Sequence, residues 1–127
     1  MTDEELVEKA ARAAENALAK VSGFRVGAAV LCADGRVFTG CNVESPSLLQ
    51  VFCAERVALL KALSEGARDF WAIAVCAPTR PDVTPCGLCR QMLAEFAPGI
   101  RVLLATGEKG FRETTVEQLL PEAFRLE

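Results

Sequence analysis

The chain has 127 residues, 13.6 kDa in mass, of which 51 % are hydrophobic and 24 % charged. That is the balance of one folded domain over 1–127, and it excludes a disordered chain. Fourteen Lys and Arg against 17 Asp and Glu leave a net charge of -3 and a pI near 5.1, which argues against nucleic acid as the main partner.

Thr2 to Lys20 reads as a helix: Thr2 and Glu5 have capping-box spacing, and Leu6, Ala10, Ala13, Ala14, Ala17 and Leu18 recur at helical intervals. Arg25 to Cys32 has the length and apolar content of a strand, Asp34-Gly35 is a hairpin turn, and Val37 to Cys41 is the returning strand. Asn42 to Val51 reads as a polar loop. A second helix runs from Cys53 to Glu65 and stops at Gly66. Trp71 to Ala77 is a buried strand, and Pro78 to Pro85 a loop with three prolines. Cys86 to Ala97 is a third helix, stopped by Pro98-Gly99. Arg101 to Ala105 is a strand, Gly107 to Gly110 a turn, and Phe111 to Thr114 a short fifth strand. Thr115 to Gln118 opens a last helix that ends near Pro121. A hairpin followed by β-α-β units implies an α/β fold, a mixed five-stranded sheet with helices on both faces. No repeat or linker interrupts it. Apolar stretches fall far short of the roughly 18 residues that span a bilayer. The acidic start, Met-Thr-Asp-Glu-Glu, is the reverse of a signal peptide, so the expected location is cytoplasmic.

The chemistry is narrowed by two absences. There is no His and no Tyr, which excludes Ser-His-Asp and Cys-His catalysis and any His-ligated metal. Proton transfer near neutral pH falls to a carboxylate, a Cys, a Lys or a metal-bound water. Of the six cysteines, Cys32 and Cys76 follow apolar runs and read as small buried hydrophobes. Cys86 and Cys89 have zinc-knuckle spacing at the start of the third helix, and Cys53 opens the second. Helix N-termini favour thiolates. Three thiolates leave zinc one open position, the pattern of a catalytic ion, and water there can supply hydroxide near pH 7. Glu55, two residues after Cys53, is the natural general base. Three thiolates on Zn²⁺ leave a net charge of about -1 that weakens the Lewis acid. Arg56 is the favoured neighbour to offset it by donating to the sulfurs, with Arg90 the second candidate.

Cys53-Ala54-Glu55-Arg56 with Pro85-Cys86-Gly87-Leu88-Cys89-Arg90-Gln91 resembles the signature of the small homotetrameric cytidine deaminases. Phe24 to Ala29, Gly40 to Glu44, Ser64 to Gly66 and Glu117 to Phe124 resemble further segments of that family in the same order. The resemblance implies the family's three-layer sandwich. It implies a Zn²⁺ ion on Cys53, Cys86 and Cys89, with Glu55 as the proton shuttle. Asn42 and Glu44 would hold the ribose hydroxyls, and Phe24 would pack on base or sugar. The backbones of Ala54 and Thr84 would read the pyrimidine edge. Phe124 would stack on the base of a neighbouring subunit in a homotetramer with shared sites. The implied partner is a free nucleoside, with neither nucleic acid nor membrane.

The chain departs from the family at Ser45-Pro46-Ser47-Leu48, where Leu48 replaces the usual Tyr. It also has Lys20-Val21-Ser22-Gly23 in place of the Pro-Tyr-Ser before Phe24. These changes motivate a second substrate class, another aminated heterocycle such as a blasticidin S-like nucleoside antibiotic. A third reading is a structural zinc closed by Cys41 or Cys76 as a fourth thiolate.

Overall fold

The computed structural model describes residues 1–107 and 110–126. Helix α1 (Asp3–Ala13) is followed by one 3₁₀ turn (Ala14–Asn16). Strands β1 (Gly27–Cys32) and β2 (Val37–Cys41) form the hairpin, and two short strands follow, β3 (Val43–Glu44) and β4 (Val51–Phe52). Then come α2 (Ala54–Ser64), β5 (Phe70–Cys76), α3 (Gly87–Phe96), β6 (Arg101–Ala105), β7 (Phe111–Thr115) and α4 (Val116–Leu119). The main sheet has the order β2-β1-β5-β6-β7. Only β5 and β6 are parallel, joined through α3, and every other pair is antiparallel. This is the expected mixed five-stranded sheet.

Alternation along the strands fills two cores. Ala29, Ala72, Ala74, Cys76 and Leu103 face α1 through Leu6 and Ala10. Val30, Ile73, Val75, Val102 and Leu104 face Ala58 and Leu59 of α2 and Leu93 of α3. Helices therefore cover both faces, giving three layers. Two glycines set the spacing of those layers. A Cβ on Gly40 would lie 2.5 Å from Ala58 N and 2.7 Å from Ala54 O, and one on Gly27 would collide with the Ala10 carbonyl. Each helix backbone thus lies directly against a strand where no side chain intervenes.

The capping box forms as expected, with Thr2 Oγ1 accepting from Glu5 N and Glu5 accepting from Thr2 N. Three expectations fail. The first helix stops at Ala13, not Lys20, because the backbone beyond it pairs elsewhere. Leu18 N donates to Asn42 O and Leu18 O accepts from Glu44 N. For the same reason Asn42 to Val51 is not all loop: β3 and β4 pair as Val43 with Phe52 and Glu44 with Val51. In β5 the buried run begins at Ala72, while Trp71 is 60 % exposed. The turn expected over 107–110 falls partly on 108 and 109, outside the described residues. Among the described residues no helix is long and apolar enough to cross a membrane.

Candidate active site

Strand register gathers the site. Gly27 at the start of β1 pairs with Cys41 at the end of β2 and with Cys76 at the end of β5. The segment entering β1, the segment leaving β2 and the loop leaving β5 therefore meet at one edge of the sheet. A cavity of about 220 Å³ opens there. Of the residues singled out from sequence, Phe24, Asn42, Glu44, Cys53, Ala54, Glu55, Thr84 and Cys86 line it. Ser22, Val26, Val51, Phe52 and Val83 also line it, and sequence reasoning missed them. Val51 and Phe52 directly precede Cys53, and their β-type residues were the available clue. Ser22 lay within a stretch read as helix end and departure, and nothing in the sequence pointed to its contact.

Cys53 is the N-cap of α2, Cys86 the N-cap of α3, and Cys89 the third residue of α3. Two helix N-termini, each with unpaired backbone N–H groups, thus point at one cluster of sulfurs. Cys53 Sγ lies 3.5 Å from Cys86 Sγ, and Cys86 Sγ lies 3.4 Å from Cys89 Sγ. All three fall within 4.8 Å of one another, and they are the one such metal-ligating group among the described residues. Tetrahedral zinc with Zn–S bonds of about 2.3 Å holds its sulfurs about 3.8 Å apart, so the cluster fits that ion with small adjustment. Neither Cys41 nor Cys76 belongs to the group, so the closed four-sulfur alternative lacks its fourth thiol.

The electrostatics follow from the packing. The Cys53 thiol is lowered to about 5, first by hydrogen bonding with Cys89, then with Cys86 and Arg56. Cys89 is raised, because it donates to Cys53 and is buried. Glu55, 5 % exposed, has its carboxyl raised to about 7 by burial, reinforced by the charge at Cys53. A carboxyl poised near neutral pH can both take and release a proton under working conditions.

The two arginines separate. Arg56 lies over the Phe52 ring at 5.5 Å and donates Nη2 to Val51 O at 2.8 Å. Its Nε is buried with no partner. An unpaired buried N–H is costly unless it faces an anion, so this donor beside the thiols fits a site that carries excess negative charge. Arg90 does not serve that purpose. It donates Nε to Pro85 O and Nη1 to Leu119 O, both at 2.7 Å. Its fork is consumed by carbonyls, and it fastens the loop before Cys86 to α4.

At the other end of the cavity, Asn42 is buried. Its Oδ1 accepts from Val26 N at 2.8 Å, while Nδ2 donates to Phe24 O at 2.8 Å and to Glu44 Oε2 at 3.3 Å. The Phe24 ring lies under the Arg80 guanidinium. Ala54 is the first residue of α2, so its N–H is among the free donors of that turn. Phe124 is not in this cavity. It is 69 % exposed, and its carbonyl accepts from Gln91 Nε2.

Known proteins resemble this chain in sequence and fold. The sequence model of the cytidine and deoxycytidylate deaminase zinc-binding region matches residues 1–105. A cytidine deaminase of Sporosarcina psychrophila is 46 % identical over all of this chain and 94 % of its own length. One from Halalkalibacterium halodurans is 48 % identical over 96 % of this chain and 93 % of its own. The crystal structure of cytidine deaminase from Burkholderia pseudomallei superposes with a TM-score of 0.91 at 45 % identity, covering 98 % of this chain and 100 % of that one. A blasticidin-S deaminase of Bacillus cereus is more distant, 32 % identical over 76 % of this chain and 74 % of its own.

Proposed function

The chain belongs to the cytidine and deoxycytidylate deaminase zinc-binding family, and on that premise we propose that it deaminates cytidine and deoxycytidine to uridine and deoxyuridine. It is a zinc-dependent hydrolase. The observation that carries the reading is the buried Glu55 carboxyl lining one cavity with two of three clustered thiols and with the Asn42–Glu44 pair.

Cys53, Cys86 and Cys89 would hold the zinc, which when bound would supply the Lewis acidity that makes a water nucleophilic near neutral pH. Arg56 tempers the charge of the three thiolates through its free buried Nε. Phe24 and the apolar cavity wall hold the base, and the backbones of Ala54 and Thr84 face its polar edge. Asn42 and Glu44 hold the sugar hydroxyls, the Glu44 carboxylate as an acceptor. Glu55 takes a proton from the attacking water and delivers it to N3 as oxygen bonds to C4. A second proton then passes through Glu55 to the amino nitrogen. The C4–N bond breaks, ammonia leaves, and the base keeps the oxygen. One water is consumed for each ammonia released.

The functional unit is a cytoplasmic homotetramer in which the exposed Phe124 serves a neighbouring copy. A single domain over 1–127 supplies each copy. The test is a substrate panel: cytidine, deoxycytidine and blasticidin S, with ammonia as the readout. Turnover of both pyrimidine nucleosides, with blasticidin S slower by at least about a hundredfold, is expected. The reverse ranking would assign the chain to the nucleoside antibiotic. The loop at issue closes on itself, Ser45 N donating to Gln50 O and Leu48 N to Ser45 O. Leu48 is exposed and does not line the cavity, which supports the pyrimidine nucleosides.

A further inference from the structure

We propose that Ser22 is a positioning residue for Glu44, a one-residue clamp on both carboxylate oxygens that sets how tightly the sugar is held. The inference rests on the reading of Asn42 and Glu44 as the sugar contacts.

Glu44 ends a strand of two residues, so its own backbone does little to fix a long side chain. Freezing a glutamate side chain costs rotamer entropy, and something must hold it for a ligand to find it ready. No ion pair among the described residues involves Glu44. Its partners are neutral donors. Ser22 N donates to Oε1 at 2.9 Å, Ser22 Oγ to Oε2 at 2.6 Å, and Asn42 Nδ2 to Oε2 at 3.3 Å. The 2.6 Å contact has the length of a charge-assisted O–H···O⁻ bond.

The direction of that bond is fixed. Ser22 Oγ accepts from Phe24 N at 3.0 Å. The hydroxyl has one proton to give, and Glu44 is the acceptor at hand. Ser22 is itself held by a turn in which Gly23 adopts φ +71°, a conformation glycine takes at no steric cost, and Gly23 N donates to Ala19 O at 2.7 Å. The early end of α1 makes this possible, because Leu18 pairs beside Asn42 and Glu44 and carries Ser22 to the carboxylate. The same donors hold the Glu44 carboxyl below its ordinary value, Ser22 first among them. Oε1, which accepts from Ser22 N alone of these donors, retains a lone pair for a sugar hydroxyl.

The experiment compares zinc-loaded wild type, Ser22→Ala and Ser22→Thr. For each, kcat and KM are measured with cytidine. The constant for 2′,3′-dideoxycytidine, which lacks both ring hydroxyls, is measured as a competitor of cytidine turnover. Ser22→Ala is expected to raise the cytidine KM about tenfold, the low end for a hydrogen bond to a charged group. Its kcat should stay within about twofold, and its dideoxycytidine constant should be unchanged. Ser22→Thr keeps the hydroxyl and is expected to stay near wild type. Zinc content and melting temperature, measured on all three, separate these effects from misfolding. An equal loss for cytidine and dideoxycytidine would overturn the clamp, as would a fall in kcat at constant KM. A wild type that deaminates cytidine while Ser22→Ala matches it overturns the clamp alone. A wild type that deaminates no nucleoside overturns the functional reading and the clamp with it.

Discussion

Asn42 shows how much one side chain can determine. Its amide satisfies Val26 N and Phe24 O and still reaches Glu44, so it joins the entry to β1 with the Glu44 end of the cavity. An amide is required because it must accept on one side and donate on the other. Asn42→Asp would turn the donating nitrogen into an oxygen facing a carbonyl and a carboxylate. Protonated, the new acid could still donate, so its folded-state pKa would be raised. A group raised in this way contributes stability at low pH that is lost as pH rises. Asn42→Asp is therefore expected to melt below wild type at pH 8, with the gap narrowing towards pH 5, as thermal unfolding at the two values would show. An equal gap at both would place the damage elsewhere. At this scale the sequence was informative where chemistry restricts residue type. In a chain without His, the three Cys and the nearby Glu stand out as candidate ligands and base, and the structure brings the three sulfurs together and sets Glu55 in one cavity with Cys53 and Cys86. Ser22 was not legible, since serine serves so many turns and caps that its identity carries little information. Arg90 misled for a related reason: adjacency to Cys89 along the chain does not decide where a long side chain points.

The elements place these residues by close approach. The contact of Gly40 with Ala54 and Ala58 lets α2 lie against β2, and that contact fixes the N-terminus carrying Cys53, Ala54 and Glu55. Gly40→Ala must push the helix away from the strand. Overpacking of this kind costs about 1–3 kcal/mol. We expect a lower melting temperature and, in the protein that remains folded, a lower kcat because Glu55 moves with its helix. Unchanged kinetics would show that α2 tolerates the shift. Helix and strand identities were legible from period and punctuation, as at the Asp34-Gly35 hairpin and the Gly66 stop. The end of α1 was not. Ala14, Ala17 and Leu18 continue a helical pattern, yet pairing with residues 42–44 captures the backbone of Leu18. Long-range pairing overrode local propensity, and it did so beside the ligand cavity, where local rules are most often broken. The strands β3 and β4 were missed because two-residue strands are too short to show a period.

At the scale of the whole molecule, one end of the sheet gathers Asn42, Glu44, Cys53, Glu55 and Cys86 around one cavity, while several large apolar side chains remain on the outside. Leu49 is 87 % exposed, and Phe124 69 %. The proposed homotetramer would cover such residues and lend Phe124 to a neighbouring site. Sedimentation equilibrium should then give a mass of about four 13.6 kDa chains, and Phe124→Ala should weaken nucleoside binding with no change in zinc content. A monomer of full activity would dismiss the shared site.

Glu55 is the group proposed to move protons beside three thiols that would hold zinc. The measurement that tests it is ammonia release from cytidine by zinc-loaded wild type and Glu55→Gln, with bound metal quantified in both. Glutamine keeps the shape and cannot cycle a proton. The expected result is one zinc per chain in each protein, rapid release by wild type, and a loss of at least about a hundredfold in the variant, within the range of general acid–base catalysis. Equal release by two equally loaded proteins would contradict the account.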